Sequence, residues 1–275
     1  MENAMKVMQN TWPSWPAIGR LTAVITLLSA ATLFVASHAQ AQDDAARKIL
    51  KAMSDYVTSQ KTILVTFDTD IEVVTPELQK IQFASSGEVL LSRPDKLRST
   101  RTGGYADVQF VFDGRTFTVH DREHNVFAQS VTAGSVDQLV QRLRTEFSVE
   151  APGADLMLSR VYDNLIEDVL DAKYIGQGVI DGVECEHLAF RNHDTDWQIW
   201  VEVGARPIPR KYVITSKAVT GGPQYTLRIK SWRTDAQIGA DTFAFKQPAN
   251  AKKVEFKELA EIDEVPSGVI TGATK

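Results

Sequence analysis

The stretch TILVTFDTDIEVVTPELQKIQFASSGEVLL, Thr62 to Leu91, decides the fold. From Ile63 onward, Ile63, Val65, Phe67, Thr69, Ile71 and Val73 alternate with Thr62, Leu64, Thr66, Asp68, Asp70 and Glu72. A period of two places one row of side chains on each face of a sheet. Thr75-Pro76 interrupts the pattern, because proline lacks an N–H and fixes φ. The alternation resumes with Ile81, Phe83, Ser85, Gly87, Val89 and Leu91. The stretch is therefore a hairpin of two strands, each longer than the usual five or six residues, as expected of a curved sheet wrapped around something.

Outward from this hairpin the same grammar recurs. Val108, Phe110 and Phe112 alternate before the hairpin signal Asp113-Gly114, and Phe117 and Val119 continue on the return strand, followed by Val126–Val131. Later strands are expected at Tyr174–Ile180 and Val183–Arg191 around Asp181-Gly182, at Trp197–Val201, and at Lys211–Ser216 and Tyr225–Trp232 around Gly221-Gly222-Pro223. Helical spacing appears in three places. Asp43 or Asp44 can cap a helix with Ala46, Ile49, Leu50, Met53, Tyr56 and Val57 on one stripe. Ser135 to Gln138 has the form of a capping box ahead of Val136, Leu139, Val140, Leu143 and Phe147. A second middle helix is expected over Leu156–Ile166, with more apolar residues than a single stripe requires. It serves either as plain cover for the core or as an apolar lid over a cavity.

The 275 residues carry a formal charge of −5, with 43% apolar and 24% charged residues. Nucleic-acid binding needs a basic field that this balance lacks. Lys6 and Arg20 precede an uncharged apolar run, Leu21–Ala36, and the small residues Ala39 and Ala41. That is the pattern of a secretory signal cleaved after Ala39 or Ala41, and sixteen residues are short for spanning about 30 Å of hydrocarbon. The lone Cys185 allows no internal disulfide and lies far from the apolar segment. The expected organisation is residues 1–41 as signal peptide, 42–256 as one sheet-and-helix domain and 257–275 as a polar C-terminal tail. The expected destination is the periplasm, with the mature chain a monomer.

Candidates for chemistry are weak. His120-Asp121-Arg122-Glu123-His124 matches the letters H-x-x-E-H, but zinc binding by that pattern needs a helix and these residues fall in a hairpin turn. Glu184, Glu186, His187, His193, Asp194 and Asp196 follow a strand, where Glu184 and Glu186 face away from His187. Cys185 reads as a buried structural thiol. No nucleophile elbow, phosphate loop or dinucleotide fingerprint occurs, so neither catalytic residues, nor a metal, nor a cofactor is expected.

Three landmarks carry a resemblance. Leu91-Ser92-Arg93-Pro94-Asp95-Lys96-Leu97-Arg98, then Phe112-Asp113-Gly114-Arg115-Thr116 with Val119-His120-Asp121, then Asp241-Thr242-Phe243-Ala244-Phe245-Lys246-Gln247-Pro248, resemble in order and spacing the LolA/LolB-type lipoprotein carriers. The segment from Asp181 to Trp232, with Trp197, Trp200 and Arg206-Pro207-Ile208-Pro209-Arg210-Lys211, is similar to an uncharacterised family of predicted exported bacterial proteins of the same fold. The resemblance implies an α+β fold: a half-open antiparallel β-barrel of about eleven strands, with helices packed across its concave face over a cavity for acyl chains. It also implies that Arg93 latches the lid by hydrogen bonding. On this basis the chain is expected to bind a lipid, a lipoprotein acyl chain or another long apolar ligand. The lining residues would be Phe67, Ile71, Phe83, Val89, Leu91, Phe110 and Phe112 on the sheet and Met157, Val161 and Leu165 on the lid. The alternative is an envelope protein that binds another protein through its sheet, using exposed aromatics such as Trp197 and Trp200.

Overall fold

The computed structural model describes residues 40–147, 151–234, 236–259, 262 and 265–266. The export signal thus lies, residues 40 and 41 apart, outside the described residues. Among them, no helix is long and apolar enough to cross a membrane.

The opening hairpin forms as its alternation requires. Strands β1 (Thr62–Val74) and β2 (Lys80–Ser92) pair antiparallel without a break, with Ile63 opposite Leu91, Val65 opposite Val89, Phe67 opposite Gly87 and Ile71 opposite Phe83. Directly opposed residues share a face, so the odd rows of both strands form one surface. A meander follows: β3 (Lys96–Gly103), β4 (Asp107–Phe112), β5 (Thr116–Asp121) and β6 (Val126–Val131). A second meander runs through β7 (Asp171–Ile180), β8 (Val183–Arg191), β9 (Thr195–Glu202), β10 (Pro209–Ser216) and β11 (Gln224–Arg233). Antiparallel pairing of β1 with β11 joins the two, and a register shift at Thr66/Phe67 marks a local irregularity in that seam.

The sheet has twelve strands rather than eleven, in the order β12-β6-β5-β4-β3-β2-β1-β11-β10-β9-β8-β7. The additional strand, β12 (Lys252–Lys253), has two residues and lies parallel to β6. Two residues are too few to leave an alternation in the letters. The fold is α+β, an open and mostly antiparallel sheet whose ends, β12 and β7, do not pair with each other.

Helices cover one face. Residues 42–59 are helical, here α1, and Ala46, Leu50, Met53 and Val57 are completely buried. Their spacing of four, three and four makes a single stripe. Helix α2 (Val136–Phe147) opens with the capping box: the Ser135 N–H donates to Gln138 Oε1 at 2.9 Å, and the Gln138 N–H donates to Ser135 Oγ at 3.3 Å. The expected second middle helix is broken. A 3-10 turn covers Ala154–Met157, Leu158 is extended, and α3 spans only Val161–Ile166. The cause is geometric. A continuous helix turns about 100° per residue and would aim Leu156 and Leu158 in nearly opposite directions. With the break both are buried, at 1% and 6% exposure, beside Val161 and Leu165.

The chain end wraps around the β6 edge. Phe245 packs against His120 and Phe127, and Arg98 donates from Nη1 to Thr242 O at 3.1 Å. After β12, the Val254 N–H donates to Phe127 O at 2.9 Å, and Phe256 stacks on Phe117 with ring centroids 6.1 Å apart.

Candidate functional site

Ile63, Val65, Leu91, Phe112, Phe117 and Val119 meet α1, α2, the 3-10 turn and α3 in one apolar cluster. Odd-numbered residues of β1 and β2 thus face the helices. Of the expected lining residues, Phe67, Leu91, Phe110, Phe112, Met157, Val161 and Leu165 all belong to this cluster. Leu91, Phe112 and Val161 have no exposed surface, whereas Phe67, Phe110 and Met157 are half-buried at its rim. Ile71, Phe83 and Val89 lie on the same sheet face but outside the cluster, Phe83 packing edge-on against Tyr105 at 5.4 Å. The lid is seated on the sheet, and its side chains fill the concave face.

Arg93 stands where these parts meet. It donates from Nη1 to Met157 O at 2.8 Å and from Nε to Gln60 O at 3.2 Å, tying the lid's 3-10 turn to the end of α1. Its neighbour Pro94 accepts at O from the Val136 N–H, and Asp137 in turn accepts from the Ser159 N–H at 2.8 Å. Burial pushes the guanidinium below its ordinary pKa, and the Asp137 carboxylate pulls the other way. Arg93 Nη2 is enclosed without a hydrogen-bond partner among the described residues. An enclosed, unmatched donor costs about 1–3 kcal/mol, so the tie is weaker than a fully satisfied one.

The remaining candidates have structural roles. His120 and Asp121 end β5, and residues 122–125 form a turn, so the H-x-x-E-H letters do not share a helix. His124 Nδ1 sits 2.7 Å from Asp121 Oδ2, and the His120 ring packs on Phe245. Glu186 accepts from the Tyr174 hydroxyl at 2.6 Å. His187 pairs with Gln198 and stacks on Trp200 at 4.0 Å. Cys185 is fully buried, and burial pushes its thiol pKa up. Contrary to expectation, Trp197 is not an exposed aromatic: it is 4% exposed and stacked on Phe190 at 3.9 Å. Trp200 is half-buried between His187 and the Lys211 ammonium, the latter 5.0 Å from its ring. Strand alternation put these rings on opposite faces, but only packing shows that both faces are covered there. A cleft of about 550 Å3 between α1 and α3 is lined by Lys51, Asp55, Arg160 and Asp163 among others, and is too charged to hold an apolar chain.

Residues that the sequence reading missed are Arg101 on β3 and Leu259 and Ile262 in the tail. Leu259 is 8% exposed and Ile262 packs against the cluster. The only available signal was the three-residue spacing of Phe256, Leu259 and Ile262.

A family model described as "Predicted periplasmic protein (DUF2092)" matches residues 46–257, which span the sheet and its helices. The chain belongs to this family. No protein of curated function matches it in sequence. Among solved structures, this DUF2092 chain is similar to an uncharacterised conserved protein from Thermus thermophilus, at 12% identity, over 77% of this chain and 99% of that one, TM-score 0.45. LprF from Mycobacterium bovis is similar at 11% identity over 72% and 97% of the two chains, TM-score 0.45. A putative outer membrane lipoprotein-sorting protein domain from Vibrio parahaemolyticus is similar at 9% identity over 74% and 97%, TM-score 0.34.

Proposed function

We propose that this protein is an exported periplasmic carrier or chaperone, without enzymatic activity, for a lipid, a lipoprotein acyl chain or another long apolar ligand. One observation carries the reading: Arg93 fastens the lid to the sheet through main-chain carbonyls at Met157 and Gln60, over a face that is apolar throughout. Main-chain acceptors leave the lid's side chains free to serve the face beneath.

The energies support exchange. Four lid side chains, Leu156, Leu158, Val161 and Leu165, are buried, worth about 6–12 kcal/mol together at 1.5–3 kcal/mol each. An acyl chain of about sixteen carbons buried at ~0.8 kcal/mol per methylene gains roughly 13 kcal/mol. A ligand that displaces the lid therefore replaces one burial by a similar one, and the difference is small enough for release. Such an exchange shifts a population between closed and open lids.

The test is native mass spectrometry with lipid extraction on protein purified from the periplasm without detergent. A co-purifying lipid or fatty acid near one per chain is expected. A bare mass that also ignores added lipid overturns the reading. A second reading, docking of another protein, is favoured by the sheet's β7 end, where Ile175 and Val179 are 53% and 65% exposed. Substituting Phe110 and Met157 by Asp separates the two. Ligand loss with the fold retained supports the carrier, and unchanged capture of a protein partner supports docking.

A further inference from the structure

Arg101 lies on the concave face. It is opposite Gly87 on β2 and Val108 on β4, and Gly87 is in turn opposite Phe67. The guanidinium is thus flanked on the sheet by Phe67 and Val108, both in the apolar cluster, with no side chain at Gly87 between. A charge in such surroundings interacts strongly with an anion, because little water screens it. Guanidinium geometry matches a carboxylate or phosphate in particular.

The chain end comes to this place. From β12 at the β6 edge it passes Phe256 stacked on Phe117 of β5, then buries Leu259, and reaches β3, where Arg101 Nη2 donates to Ile262 O. Its sequence, Leu259-Ala260-Glu261-Ile262-Asp263-Glu264, interleaves aliphatic anchors with three carboxylates. An aliphatic body on the concave face with an oxygen acceptor at Arg101 is also how a long-chain acid would lie there.

We propose that Arg101 is the head-group site for an anionic amphiphile, a long-chain carboxylate being the simplest, and that Leu259 and Ile262 occupy that site until ligand displaces them. This rests on the carrier reading and names its ligand class. The charge complementarity is specific to the acidic head: an alcohol of equal length gains the same burial but not the guanidinium.

The experiment is equilibrium binding to the full chain of palmitate, of hexadecanol and of acetate, followed by native mass spectrometry. Palmitate is expected to bind about tenfold or more tightly than hexadecanol, and acetate not at all, since the chain supplies most of the affinity. Arg101→Gln should erase the preference by weakening palmitate alone. Arg101→Lys, which keeps the charge but not the fork, should retain part of it and shows that the site tolerates substitution. Leu259→Ser with Ile262→Ser should tighten both long-chain ligands. Equal binding of acid and alcohol, unchanged in Arg101→Gln, overturns the head-group site while leaving the carrier intact. Binding of neither by any variant overturns the carrier reading along with it.

Discussion

Removing the Arg93 tie should open the lid without unfolding the sheet. Arg93→Met keeps most of the stem's length but deletes both donors. The bond to Met157 O, at 2.8 Å from a charged donor, is the one that lid opening breaks; the bond to Gln60 O belongs to α1. Hydrogen bonds with a charged partner contribute about 1.5–3 kcal/mol. Half-burial, the desolvated guanidinium and the unmatched Nη2 place this one near the lower end. A loss of about 1.5–2 kcal/mol raises the open population roughly 10- to 30-fold. Hydrogen exchange read by mass spectrometry resolves it. The amides of Leu156, Leu158 and Asn164, bonded to the carbonyls of Gly153, Asp155 and Arg160, should exchange faster by that factor. Amides of the paired β1 and β2 strands should keep their protection. Lid amides exchanging at the original rate would refute the latch. A uniform acceleration across lid and sheet would show that Arg93 supports the whole fold.

Two further outcomes follow from packing. Tyr212 is 4% exposed, and burial pushes its phenol pKa far above the usual 10.0. Below about pH 10 the group holds its proton in both states and stability is unaffected; above it the unfolded chain loses the proton that the folded one keeps, so stability falls by about 1.4 kcal/mol per pH unit. Urea titrations from pH 9 to 11.5 should show a shallower decline for Tyr212→Phe, and identical slopes would contradict this account. Gly87→Ala would place a Cβ 2.5 Å from both Phe67 Cζ and Thr100 O. The main-chain oxygen cannot swing away, so a cost of about 1–3 kcal/mol is expected, read as a melting temperature lower by roughly 2–4 °C per kcal/mol; melting at the original temperature would show that the strands can separate there freely.

The hairpin at Thr62–Leu91 could be read because strand alternation is local: each residue's face follows from its neighbour's. The capping box at Ser135–Gln138 and the turns at Asp113-Gly114 and Asp181-Gly182 were equally readable, since each is completed within four residues. The middle helix was misread as continuous because its break at Leu158 serves a sheet surface that the helical period does not encode. Trp197 was misread as exposed for a similar reason: its partner Phe190 is supplied by the neighbouring strand.

The site divides in the same way. The apolar odd rows were visible in the letters, and so were Met157, Val161 and Leu165 as lid material. Arg93 came from a family resemblance, and its acceptors are main-chain oxygens 33 and 64 residues away, which no side-chain pattern can reveal. Arg101 went unread because its significance lies in Ile262 O, 161 residues on. Short-range order, meaning strand periodicity, capping and turn chemistry, is written in residue types at fixed spacing, and it settled the sheet and its helices. Which of those elements close over one another, and which cation meets which carbonyl, depends on contacts between distant parts of the chain, and only the folded structure decided them.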